Sequence, residues 1–364
     1  MAITTVESSN QRKTMRIRHT SKFLFFFAKL FGFLPFANST ILFNKIYASI
    51  LICSFTSSTY YFVSTLAANN EIAMILTIFA SIIPLDALIF SSHFFRGSRA
   101  SARLETFLSA SRNPFPYEQI LFHVVFLLVN SLNFEAQIKR HKSLGVLCLA
   151  LIFWYVLVFA VLLYGHVVLI FRRKLCRIHG DLKSVCLRIY PHQKRTVNDV
   201  LKMKEAYKST VEQVENIECI FGHFLLLAHL FLLVQFVNGV HFIVSNLKIS
   251  NVQFSDNEIY VFFSGIAPFS TTFIALVFSI MCCDLATGEG RDLIKTCYKL
   301  HNDSINHRNN EEVSTAILDF IEYITNFPPK FTSANFFDIQ RTTILDILGI
   351  KLTYLIVVMQ LDGV

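Results

Sequence analysis

Composition, segment length and charge placement predict an all-α membrane protein: seven transmembrane helices in an inverted topology, N-terminus cytoplasmic and C-terminus extracellular, with helical extensions in the cytoplasm. The chain has 364 residues, of which 53% are hydrophobic and only 16% charged. Soluble domains carry about a quarter charged residues. Seven stretches reach the roughly 20 residues that a helix needs to cross the hydrocarbon core. Lysine and arginine then divide 27 to four in favour of the side holding the N-terminus, which is the bias that sets orientation in membranes.

Residues 1–40 are basic at first and then carry Phe23-Leu24-Phe25-Phe26-Phe27. Lys29, Gly32 and Pro35 break that run and no small-residue cleavage site follows. It reads as an interfacial or re-entrant helix and not as a signal peptide. The first span, Ile41–Leu66, carries Ser54, Thr56, Ser57, Ser58 and Thr59. Small hydroxyl residues suit close helix packing in lipid, with a ligand cavity as the other reading. The second span, Ile72–Phe95, holds Pro84 and Asp86. A mid-bilayer carboxylate costs roughly 2.5–3.5 kcal/mol on insertion scales. Asp86 is therefore expected to face the bundle interior, in an interhelical hydrogen bond beside a proline kink or as a ligand or gating contact.

The third span, Tyr117–Ile138, is interrupted by Asn130, Asn133 and Glu135. Asn130, Asn133 and Gln137 share one helical face. If this segment does not cross, the C-terminus moves to the cytoplasm. The fourth span, Ser143–Phe171, places Trp154 and Tyr155 near its middle and is long enough to tilt. Arg172-Arg173-Lys174 follows, then a solvated helical stretch to about Glu218. The fifth span, Cys219–Asn246, groups Gln235, Asn238 and His241 in its outer half. A lone membrane histidine is more often a packing residue; the grouping is what favours a binding role here. The sixth span, Glu258–Asp284, begins with Tyr260, Phe262 and Phe263 and contains Pro268. Two cytoplasmic helices, Leu293–Leu300 and Glu311–Thr325, are expected before Phe327-Pro328-Pro329 stops the pattern. The seventh span is Thr342–Leu361.

Four regions result: residues 1–40, a cytoplasmic N-terminus and interfacial helix; 41–284, a six-helix transmembrane bundle; 285–341, cytoplasmic helices; and 342–364, the last helix and its outer mouth. The eight cysteines fall in spans or on the cytoplasmic side and are expected to be free thiols. The sequons at Asn38 and Asn302 fall on the same side and are expected to stay unglycosylated. There is no GxSxG, HExxH, Walker loop or metal-ligand spacing. An enzyme, a cofactor, a metal and a nucleic-acid partner are not expected; membrane lipids are the expected surroundings.

On the last span Asp346, Ile350, Thr353, Val357 and Gln360 share one stripe, with Leu361 at its edge. Two readings stand open. In one, Thr353 and Gln360 hold helices together by hydrogen bonds. In the other, the stripe lines a pore: a ring of Val357 closes it by dewetting, Gln360 offers neutral polar groups, and Asp346 and Asp362 favour cations.

Phe331-Thr332-Ser333-Ala334-Asn335-Phe336-Phe337-Asp338, followed by Thr353-Tyr354, five apolar residues, Gln360 and Leu361, resembles the C-terminal signature of insect gustatory receptors. That signature has a Phe-Thr/Ser-Ala turn, then Thr-Tyr, five apolar residues, Gln and Phe. Leu361 departs from the final Phe, as the related odorant co-receptor does. Lys29–Pro35 and Phe171–Leu182 resemble the family's opening and the basic end of its fourth helix. The resemblance implies a ligand-gated, poorly selective cation channel of four subunits, homotetrameric or shared with relatives, in the plasma membrane of sensory dendrites. It implies that the last helix lines the pore and that the cytoplasmic helices of residues 285–341 join the subunits. By the same motif the gate falls on Val357 and the outer constriction on Gln360 and Leu361. It also implies a tastant pocket among the outer halves of the second to sixth helices. There Asn130, Asn133, Gln235, Asn238 and His241 offer hydrogen bonds to a polyol, and Trp154, Tyr155, Tyr260 and Phe263 offer stacking to a sugar or a bitter aromatic. The alternatives are a G-protein-coupled receptor, which needs the opposite orientation, and a secondary transporter, for which an internal repeat is expected and none is visible.

Overall fold

The structure is a computed structural model that describes residues 28–31, 33, 41–67, 72–93, 99–100, 103–104, 144–186, 193–249, 256–306 and 311–361. The elements in chain order are α1 (Ile41–Ala67), α2 (Ile72–His93), α3 (Leu144–Cys186), α4 (Gln193–Ile249), α5 (Asp256–Asn306), α6 (Glu311–Asn326), β1 (Thr332–Ser333), β2 (Phe337–Asp338) and α7 (Arg341–Leu361). The third predicted span, Tyr117–Ile138, lies outside the described residues. Every other predicted span coincides with a helix, and the Glu311–Thr325 expectation with α6.

The helices that carry the fourth, fifth and sixth spans run far past the apolar stretches. The sequence divides the region between Phe171 and Cys219 from both neighbouring spans, yet α3 continues through Arg172-Arg173-Lys174 to Cys186, and α4 begins at Gln193 and runs unbroken into its apolar half. Likewise Leu293–Leu300 is the continuation of α5 through Gly288 and Gly290, not a separate helix. Two glycines cost only about 1 kcal/mol each inside a helix, which packing against α3 offsets. Among the described residues, Trp154–Val185, Val197–Leu233 and Ser270–Ile305 are long and apolar enough to cross a membrane, and Ile82–His93 is a shorter apolar stretch.

α3 is the centre of the bundle. Every residue from Val156 to Val168 is buried, as expected of a helix that is apolar all round. α5 runs beside it in the same direction. Gly165 makes the close approach possible: a Cβ there would meet Phe278 at 2.8 Å. Below that contact the Tyr164 hydroxyl and Cys283 Sγ lie 3.1 Å apart. Further along, His179 bridges α3 to α5 through Glu289 at 2.6 Å and Thr296 at 2.8 Å. Polar contacts thus take over where the apolar packing thins. α4 runs antiparallel to α3, with Trp154 edge-on to Phe231 and Tyr164 tilted on Phe221. α2 packs on α1, α3 and α4.

α6 is an amphipathic helix. Val313, Ile317, Phe320, Ile321 and Ile324 are buried at a spacing of three and four. They cover the polar half of α4 and the end of α5. Tyr207 fixes the match: it is fully buried, edge-on to Phe320 and Tyr323, and donates its hydroxyl proton to the Phe327 carbonyl at 3.0 Å. Lys204 pairs with Asp319 at 2.6 Å beside it.

Candidate functional site

Between α6 and α7 the chain makes a small antiparallel hairpin, Thr332 opposite Asp338 and Ser333 opposite Phe337. Its turn is tight: the Phe336 amide donates to the Ser333 carbonyl at 3.0 Å, and Ala334 and Asn335 have φ of 52° and 62°. Positive φ at both central positions is the primed turn that suits the twist of paired strands. Asparagine tolerates that region; for alanine it costs roughly 1–2 kcal/mol.

What holds the strained turn is α4. Glu218 Oε1 accepts from both the Thr332 amide and the Thr332 hydroxyl, each at 2.8 Å. One turn on, Gly222 leaves the room in which the turn lies: a Cβ there would sit 3.2 Å from the Ala334 nitrogen. Two rings complete the seat. Phe331 is edge-on to Phe171 of α3 at 5.5 Å, and Phe337 is edge-on to His229 of α4 at 5.6 Å. The residues that carry the C-terminal motif thus form a plug between α3 and α4.

The plug leads directly into α7. The Gln340 amide donates to Thr343 Oγ1 at 3.1 Å, and the Thr343 amide returns to the Gln340 carbonyl at 3.0 Å. This reciprocal pair resembles a capping box, with threonine in the place of the usual glutamate. Arg341 pairs with Asp284 of α5 at 2.6 Å.

α7 is then covered on one side only. Thr343, Ile347 and Lys351, spaced by four, are buried against the bundle. Asp346, Ile350, Thr353, Val357 and Gln360 are exposed. Beside that stripe runs a second uncovered row, Leu345, Leu348, Leu352 and Ile356. Leu361 ends the helix; its side chain lies outside the described residues, and so does Asp362. Thr353 donates back to the Gly349 carbonyl at 2.9 Å, so its hydroxyl is used within its own helix. Tyr354, the second motif residue, is partly covered.

The predicted ligand residues are placed less completely. Trp154 is buried on Phe231, Tyr155 is half-buried and stacks on Phe159 at 6.5 Å, and Gln235 is buried one turn beyond Phe231. α3 and α4 therefore bring Trp154 and Gln235 to one region. Asn238 and His241 continue α4, and Tyr260 and Phe263 open α5, but their side chains lie outside the described residues, and Asn130 and Asn133 lie outside altogether. A groove of 570 Å³ runs along α1 instead, lined by Lys45, Ile46, Ser49, Ile50, Cys53, Ser54 and Ser57. Ser54 and Ser57, for which the sequence also allows a ligand-cavity role, line it, while none of the residues assigned to the tastant pocket does. Asp86 is partly buried on α2, as the cost of a carboxylate in lipid demands.

Glu218, Gly222 and Asp284, which hold the hairpin and the start of α7, were not legible as such in the sequence. Each acts on a segment more than 50 residues away, and periodicity carries no such signal.

Long helices, a central helix buried from Val156 to Val168 and a last helix docked along one face define a polytopic all-α membrane fold, with no group of metal-ligating side chains among the described residues. The 7tm chemosensory receptor family model matches residues 21–362, and the chain belongs to that family, one of receptors and not of enzymes. Among solved structures it is similar to the insect olfactory receptor OR5 from Machilis hrabei, with a TM-score of 0.63 at 12% identity over 96% of this chain and 99% of that one. The same receptor in complex with eugenol gives a TM-score of 0.58 at 13% identity, over 95% of this chain and 99% of that one. The protein therefore has the seven-span chemoreceptor fold. A search of curated protein sequences finds no match.

Proposed function

We propose that this chemoreceptor is a gustatory receptor that works as a ligand-gated, poorly selective cation channel in the plasma membrane of sensory dendrites. Four subunits surround a central pore, as copies of this chain or shared with related receptors. The observation that carries the reading is the one-sided docking of α7. Its base is fixed by the hairpin plug and by Arg341–Asp284. Its stripe of Asp346, Thr353, Val357 and Gln360 is left uncovered. A helix used only as packing would bury its polar side chains and present lipid with apolar ones. Val357 forms the gate ring by excluding water, Gln360 and Leu361 form the outer constriction, and Asp346 draws cations to the inner end.

The ligand is a small organic molecule held among the outer halves of the helices by Trp154, Tyr155, Gln235, Asn238, His241, Tyr260, Phe263, Asn130 and Asn133. Sugars and bitter aromatics both fit that mixture of rings and amides. A volatile aromatic is the second reading, favoured by the eugenol complex of the similar receptor. Calcium influx in cells expressing the chain, read against a panel of sugars, bitter compounds and eugenol, separates the three. Alanine at Trp154, Gln235 and His241 is expected to shift the dose response of the active compound. An unchanged response across all three overturns the pocket.

A further inference from the structure

Lys351 lies at the midpoint of α7, where a charge is expensive in a membrane. It does not face the uncovered stripe. It stands about 120° round the helix from Val357, on the face formed by Thr343 and Ile347, and is only 3% exposed. Its ammonium lies over the ring of Phe273, 4.6 Å from the centroid. Phe273 belongs to α5, the helix that also supplies Asp284 to Arg341. The two contacts are ten residues apart on α7 and eleven apart on α5, about 15 Å and 16 Å of rise. They match because the helices run antiparallel.

We propose that Lys351 is a positioning residue for the pore helix, which it clamps to α5 through Phe273. One ion pair fixes the base of α7; the second contact, a turn and a half below Val357, fixes its rotation. A desolvated cation over an aromatic face is a strong contact for its size, and a rotated α7 would carry four ammonium groups toward a path for cations. The predicted pocket residues Tyr260 and Phe263 lie two to four turns along α5 from Phe273, so movement of α5 on ligand binding reaches α7 through this clamp. The role in gating rests on the channel reading above; the clamp itself does not.

Two measurements on the full-length receptor separate them. The first is a double-mutant cycle on thermal stability in detergent. Phe273→Leu keeps the bulk and removes the ring face. It is expected to lower the melting temperature when residue 351 is lysine, to do so again with Lys351→Arg, and to change it little with Lys351→Met. Equal shifts in the lysine and methionine backgrounds overturn the clamp. The second is the cation current without added ligand, normalised to surface-labelled protein. Lys351→Met is expected to change it about threefold or more, the scale of a mutation in a coupling element, while Lys351→Arg leaves it within about twofold. Coupled melting with an unchanged current overturns the gating role. Coupled melting in a receptor that passes no current under any compound of the panel overturns the channel reading and leaves the clamp standing.

Discussion

Gly222 is where α4 admits the turn of the hairpin, and Glu218 is what ties the turn down. The Ala334 nitrogen would be 3.2 Å from a Cβ at 222, and it is backbone, which cannot swing aside. Gly222→Val is therefore expected to lift the plug and destabilise the receptor by about 1–3 kcal/mol, the usual cost of overpacking. Glu218→Ala removes the acceptor of two hydrogen bonds and leaves the Thr332 amide in a half-buried place without it. Its expected cost is about 1–3 kcal/mol, and Glu218→Gln, which keeps an acceptor oxygen, is expected to lose less. Melting of the detergent-solubilised protein, followed by size-exclusion fluorescence, ranks the three. A Glu218→Ala protein that melts with the parent would show that the rings of Phe331 and Phe337 hold the plug alone. At this scale the motif was legible and its mechanism was not. Thr332, Ala334 and Asn335 stand together in the sequence, but their partners Glu218 and Gly222 are more than a hundred residues away.

At the scale of single elements, α6 and α7 differ in what the chain discloses. α6 alternates charged and apolar residues, so both its limits and its buried face follow from the 3.6-residue period. α7 discloses its limits only. Its docked Ile347 and its uncovered Leu345, Leu348, Leu352 and Ile356 are of one kind, because lipid and protein interior accept the same side chains. The extents of α3, α4 and α5 were misjudged for a related reason. A hydropathy pattern ends where the apolar run ends, whereas the helix continues as long as α6 and the neighbouring helices cover it. The stripe on α7 yields the sharpest functional test. Val357→Lys places a charge at the proposed gate in every subunit. Ligand-evoked cation current is expected to be abolished at unchanged surface expression, since a ring of ammonium groups repels cations where dewetting is meant to be the barrier. Current that survives unchanged would remove Val357 from the gate.

On the scale of the whole molecule, two parts of the apolar surface left uncovered among the described residues have different meanings. The row on α7 lies within a span, where lipid can cover it. Tyr298 and Ile305, two turns apart on α5, and Leu318 on α6 are also exposed, yet they sit on the segments with polar faces beyond the apolar part of the bundle. Water is a poor neighbour for such a set, and lipid does not reach it if these segments stand in the cytoplasm. On the four-subunit reading a second copy covers them, and the residues 285–341 proposed as the joining region supply the contact. Ile305→Glu combined with Leu318→Glu is expected to convert the detergent-solubilised assembly to single subunits by mass photometry. Melting of the single subunit should stay close to that of the parent, because neither side chain contributes to the buried set of its own chain. The same orientation requires an N-terminal tag to be hidden on intact cells and Asn302 to carry no glycan. A labelled N-terminus would put Ile305 and Leu318 outside the cell and overturn the cytoplasmic placement of residues 285–341.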